Sequence, residues 1–149
     1  MYLKLLSLHN VIRWVVLIFG LTAAYRSFMG LSAQKEWAAL DRRWGLAFSI
    51  SLDIQCLLGL FLYFFLSPIT RNALSNGALA LQNTNTRFYV LIHSLYMILA
   101  IVFAHLGKVL SPRANTSLVK HQRAATFFTL ATLCILLGIP WTRPLLPGY

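Results

Sequence analysis

The stretch Phe88–Leu110, FYVLIHSLYMILAIVFAHLGKVL, holds one residue charged at neutral pH, Lys108, and two histidines, His93 and His105, in an otherwise apolar run. At about 1.5 Å rise per residue, a helix of this length crosses a hydrocarbon layer about 30 Å thick. Its apolar residues are continuous and not alternating, so it reads as a helix and not as a barrel strand. Three more runs have the same character, Leu8–Phe28, Trp44–Leu66 and Ala124–Pro140. The expected fold is all-α: one transmembrane domain over residues 1–149, built as a four-helix bundle running up-down-up-down.

Composition agrees, since 58% of residues are hydrophobic and only 11% charged, which sets the chain apart from soluble globular domains. The formal net charge is +10, yet the basic residues sit at the ends of the apolar runs and never form a block of five. That pattern belongs to membrane topology and not to nucleic-acid binding. The first run is too long for a signal-peptide core, and TAAYRSFMG offers no small-x-small cleavage site, so it is kept as helix one. Cys56 and Cys134 fall midway along two of the runs, where thiols behave as small apolar side chains, and no disulfide is expected.

Charge also orients the bundle. Arg26, Lys35, Arg42, Arg43, Lys108, Arg113, Lys120 and Arg123 lie on one side, and Lys4, Arg13, Arg71, Arg87 and Arg143 on the other. The richer side is expected in the cytoplasm, with both termini outside. Trp37 and Trp44 on the inner side, and Trp14, Trp141 and Tyr149 on the outer, suit aromatic belts. Gly30 reads as the end of helix one, and Pro68 and Pro112, each after a serine, as stops for helices two and three. The outer connection SPITRNALSNGALALQNTNTR reads as a long loop whose ALALQN lies at the interface, and Asn115, Thr116 or Ser117 as the cap of helix four. A short proline-rich tail, TRPLLPGY, closes the chain.

The four histidines, His9, His93, His105 and His121, all fall in or at the mouth of an apolar run. Followed through the bilayer, His9 and His93 lie near the outer face, His105 and His121 near the inner one. A neutral imidazole is a good axial ligand for haem iron, and bundles build such sites from facing helices. One or two bis-histidine haem b sites are therefore expected, with Arg13 and Arg87 placed to meet propionates at the outer level and Arg42, Arg43, Lys108 or Arg123 at the inner. His93 and His105 are 12 residues apart, about 18 Å along the axis and about 120° around it, so they face different neighbours. Level pairing also requires helices one and four to begin before hydropathy suggests. The plainer reading is that the histidines at helix starts, His9 and His121, are interfacial and that His93 and His105 make interhelical hydrogen bonds.

Within SISLDIQC, Asp53 falls near the midplane, where a carboxylate marks a functional site by default. With Gln55 it is a candidate proton or quinone site, or a hydrogen-bond partner for a ligating histidine; the structural alternative is an interhelical bond to Arg26 or a histidine. No Ser-His-Asp set, phosphate loop or zinc spacing is present, and only three residues are acidic. No catalytic residue is assigned, and a carrier or subunit is expected in preference to a stand-alone enzyme.

The segments LHNVIRW, LDRRWGL, SLDIQCLLGLFLYF, AHLGK and KHQRAATFFTLATLCILLGIPW together resemble a group of small four-helix bacterial membrane proteins described as cytochrome b-like. The resemblance covers nearly the whole chain. It implies an inner-membrane protein with haem held by His9, His93, His105 and His121, although the 12-residue spacing is shorter than two-haem cytochrome b bundles use. The function expected is electron transfer within or across the membrane, with a larger redox complex or a second copy as partner and a quinone as a candidate small molecule. The alternatives are a cofactor-free accessory subunit of a respiratory or photosynthetic complex, and a quinone- or chlorophyll-binding subunit that uses single histidines.

Overall fold

The computed structural model of the protein describes residues 1–141, with only the backbone of Leu79. Arg143 and Tyr149, with the rest of the tail, lie outside the described residues. The first helix, α1, spans Tyr2–Ser32 and begins well before the apolar run, because MYLKLLS is itself helix-compatible and mostly apolar. Its end is not at Gly30, which is helical and buried. The chain leaves the helix at Gln34, whose φ is +49°, while Lys35 N–H closes back on the Gly30 carbonyl at 2.9 Å.

Helix α2 (Ala39–Phe61) starts before the apolar run at Trp44, since Asp41 accepts from the Ala38 N–H at 3.0 Å and closes its first turn. It widens into a π-helical segment, Leu62–Leu66, before Ser67. There the outer connection departs from expectation. Pro68 stops one helix and opens the next, α3 (Pro68–Asn76), with proline in the first turn and the Ser67 hydroxyl accepting from Thr70 N–H at 3.4 Å. A 3₁₀ segment, Gly77–Gln82, follows, and a short helix, α4 (Thr84–Arg87), runs through a π-helical segment, Phe88–His93, into α5 (Ser94–Leu110). The last helix, α6, spans Ser117–Gly138, and Thr116 is its cap, accepting from Val119 N–H at 3.3 Å.

The described residues are thus all helical in architecture, with α3 as a fifth helix beside the four long ones. Short connections turn the chain back after α1 and α5, and the long helices close a ring in which α1 meets α2, α2 meets α5, α5 meets α6 and α6 meets α1. Three helical stretches, Tyr2–Ser32, Ala39–Leu66 and Thr84–Leu110, are long and apolar enough to cross a membrane. The expected fourth, Ala124–Pro140, belongs to a helix whose first turns carry Lys120, His121, Gln122 and Arg123, which shorten its apolar length.

Small residues set the spacing inside the ring. Ala100, Ala104, Ala124 and Ala131 are fully buried, and they let backbones approach where lipid offers no hydrophobic drive for association. The Phe128 ring of α6 packs edge-on against Phe48, with centroids 6.0 Å apart, and fills the space that Gly45 of α2 and Gly107 of α5 leave open. A Cβ at either glycine would stand 2.6 Å from the Phe128 ring. Gly45→Val should therefore destabilise the bundle by about 1–3 kcal/mol through overpacking. The check is the unfolding midpoint in detergent followed by circular dichroism.

Candidate functional site

His93 lies at the last position of the π-helical segment Phe88–His93, and the wider turn sets the direction from which its ring meets α1 and α6. Its Nδ1 is 2.8 Å from the carbonyl oxygen of Gly138. A carbonyl only accepts, so Nδ1 carries the proton and Nε2 keeps its lone pair. Such a bond to the second nitrogen is what orients an imidazole for metal ligation. The contact depends on a close α5–α6 approach, since a Cβ at Gly138 would fall 2.4 Å from Met97 Cε and 3.0 Å from Tyr96 Cβ.

His9 faces His93 from α1, with ring centroids 6.4 Å apart and planes inclined by 66°. Its Nδ1 is buried and has no hydrogen-bond partner. Gly59 of α2 gives it room: a Cβ there would come within 3.3 Å of His9 Cε1. Gln55 ties this region of α1 to α2 by donating from Nε2 to the His9 carbonyl at 2.8 Å. Phe88 and Tyr89 stand beside His93, each with its ring centroid 6.4 Å away. Arg13, one turn after His9, is 7% exposed, and its guanidinium lies 5.6 Å from the Trp14 ring centroid, so it stays inside the bundle. Arg87 is exposed at the end of α4.

The inner histidines make separate contacts, and no ring contact joins them to each other. His105 Nδ1 donates to the Ile101 carbonyl at 3.1 Å, and its Nε2 lies 3.5 Å from Asp53 Oδ2. Nδ1 is committed to a carbonyl, and Nε2 lies beside the Asp53 carboxylate and not beside another histidine. Both side chains sit on the outside of the ring, 39% and 42% exposed. Asp53 is therefore the partner of a histidine, as one reading allowed, while Arg26 pairs instead with Asp41 at 2.7 Å. His121 is 1% exposed, and neither ring nitrogen has a partner. It is seated against Gly30, where a Cβ would come within 2.2 Å of its ring, and against Trp37, with centroids 4.9 Å apart.

The sequence thus placed His9 and His93 at one level and missed the Gly138 carbonyl and the π-helical turn beside His93. A backbone acceptor leaves no mark in a sequence. Among the described residues no three of His, Cys, Asp and Glu come together, and both cysteines are free thiols. A metal at the outer pair would take two protein ligands and the rest of its coordination from elsewhere, which is how a macrocycle binds. The spacing fits that chemistry: two imidazoles each about 2 Å from one metal have centroids about 6 Å apart. No family model, curated protein or solved structure matches the chain.

Gly138→Val should wedge α5 from α6 and release His93 Nδ1. Imidazole ¹⁵N resonances give the readout: a fixed Nδ1–H tautomer for His93 in the parent and tautomer exchange in the variant, with His105 unaltered.

Proposed function

We propose that the chain is a membrane-spanning electron carrier that holds a b-type haem between His9 and His93. The observation that carries this reading is the His93–Gly138 bond, which leaves Nε2 of His93 with its lone pair on a ring 6.4 Å from that of His9, whose Nδ1 is buried without a hydrogen-bond partner. When bound, haem supplies a one-electron couple. The residues of the chain do the rest. His9 and His93 would hold its iron through two imidazoles, a ligation that favours electron transfer over oxygen chemistry. Gln55 ties α1 to α2 at His9, the Gly138 carbonyl ties α6 to α5 at His93, and Arg13 offers a buried cation to a propionate.

The setting is a bacterial inner membrane with both termini outside, supported by the greater number of basic residues at the Arg26–Arg43 and Lys108–Arg123 connections. On this orientation the proposed haem lies at the outer end of the bundle. A partner redox protein or the quinone pool is the source or sink of electrons, since the chain presents no catalytic set of its own.

A second reading is favoured by one observation. Asp53 and His105 face outward at membrane depth, where ionisable groups usually turn toward protein. An accessory subunit that packs this face against a larger complex, with no cofactor, accounts for that.

The two readings part on a reduced-minus-oxidised spectrum of the purified protein. A haem b band that is lost in His9→Ala and in His93→Ala, and kept in His105→Ala, is the expected outcome. Parent protein with no pyridine-haemochrome signal, or a band indifferent to His93, would sink the haem reading.

A further inference from the structure

Asp53 lies at the middle of the 28-residue apolar stretch Ala39–Leu66, and its side chain and that of His105 open away from the bundle. Elsewhere the bundle turns apolar side chains outward, as Val15, Ile18 and Leu21 of α1 and Leu130, Leu133 and Leu137 of α6 do. A carboxylate and an imidazole set against lipid tails give up water and gain nothing in its place, so ionisable groups at this depth are normally turned toward protein. The pair does not satisfy itself either. His105 Nε2 stands 3.5 Å from Asp53 Oδ2, longer than an N–H···O hydrogen bond, and no described residue donates a hydrogen bond to the Asp53 carboxylate.

The residues around the pair are spaced for packing against another helix. On α5 the exposed Leu95, Ile98, Val102 and Val109 run in line with His105 at alternating steps of three and four. That is the spacing of a seam along which two membrane helices lie side by side at a small crossing angle. On the adjoining α2, Ile50 and Leu57, one turn to either side of Asp53, are exposed as well and widen the same face.

We propose that a second copy of this chain docks on this face, α5 against α5. Two copies inserted in the same sense are related by a two-fold axis along the membrane normal, and the interface they form is isologous, so the patch has to complement itself. This one does. It carries a carboxylate and an imidazole side by side, and the two-fold axis turns each toward the partner's group of the opposite kind. Leu95, Ile98, Val102 and Val109 pack against their counterparts, and His105, the polar residue in an apolar seam, fixes the register. A different subunit would need a matched acid and base of its own at this depth; a second copy brings them by symmetry. The inference rests on the membrane-spanning part of the proposed function and is independent of haem.

Disulfide mapping of the full chain in membranes tests it, with Cys56→Ala and the buried Cys134 left in place. Ile98→Cys and Val102→Cys should cross-link to a species of twice the chain's mass, whereas Ile18→Cys and Leu133→Cys, outward on α1 and α6, should not. In a dilution series by analytical ultracentrifugation, Asp53→Leu with His105→Leu should weaken the dimer about tenfold. The cross-link map alters neither member of the pair, so it decides the matter if that double variant loses its helical signal. Seam cysteines that stay monomeric, cross-linking equal at all four positions, or a dimer undiminished in the folded double variant overturns the proposal. A cross-link from Val102→Cys to a different polypeptide would assign the face to another subunit and overturn it too. The parent pattern of cross-links retained in His93→Ala would separate this result from the fate of the haem reading.

Discussion

Helices whose outer surfaces are already apolar gain little by burying more apolar surface in a bilayer, so close packing has to hold them together. In this bundle close approaches are made at glycines, and four of them border a particular ring. Gly45 and Gly107 receive Phe128, Gly30 receives His121, and Gly59 borders His9. Gly138 brings α6 close enough to α5 for its carbonyl to bond His93. The positions of three of the four histidines therefore follow from where side chains are missing on a neighbouring helix.

This explains how the sequence could show the helices and only part of the site. Continuous apolar runs gave the four long helices directly, because the length needed to cross a bilayer is a property of the run alone. The helix starts were harder. Tyr2, Ala39 and Ser117 all lie outside the apolar runs, where capping and helix-compatible polar residues extend a helix into the interface. The two Ser-Pro pairs look the same in sequence and act differently. Ser67 is extended, with ψ of 120°, and caps α3, whereas Ser111 keeps helical angles, with ψ of −51°, as the end of α5. Gly30 misled for a related reason: glycine marks helix ends in water, but here it marks a place where another helix presses close.

The histidines teach a similar lesson about chemistry. Depth in the membrane sorted them into two pairs, and depth is all that a linear sequence and a helical rise can give. Availability of a nitrogen is decided by neighbours. His93 has one nitrogen bonded and one open; His105 has one bonded to a carbonyl and the other beside a carboxylate; His121 has neither engaged and lies walled in by Gly30 and Trp37. Ligation requires a free lone pair, and the two rings that lie near each other, His9 and His93, each keep a nitrogen without a hydrogen bond.

The two ends of the bundle are also built differently. At the end where α1 turns into α2, the helices α1, α2 and α6 are clasped by Arg26 on Asp41, by Glu36 on Ser117, and by the Trp37 N–H on the same serine at 3.1 Å. At the opposite end α2 and the stretch before α5 both loosen into π-helical segments, and Tyr63 of one reaches the Val90 carbonyl of the other at 3.4 Å. A π turn carries one more residue per closing bond, so it widens the helix and shifts the side chains that follow. One of these turns ends at His93 and so sets where its ring meets α1 and α6. Side-chain hydrogen bonds and an ion pair fix the register of the helices at one end, and helix geometry directs the histidine at the other.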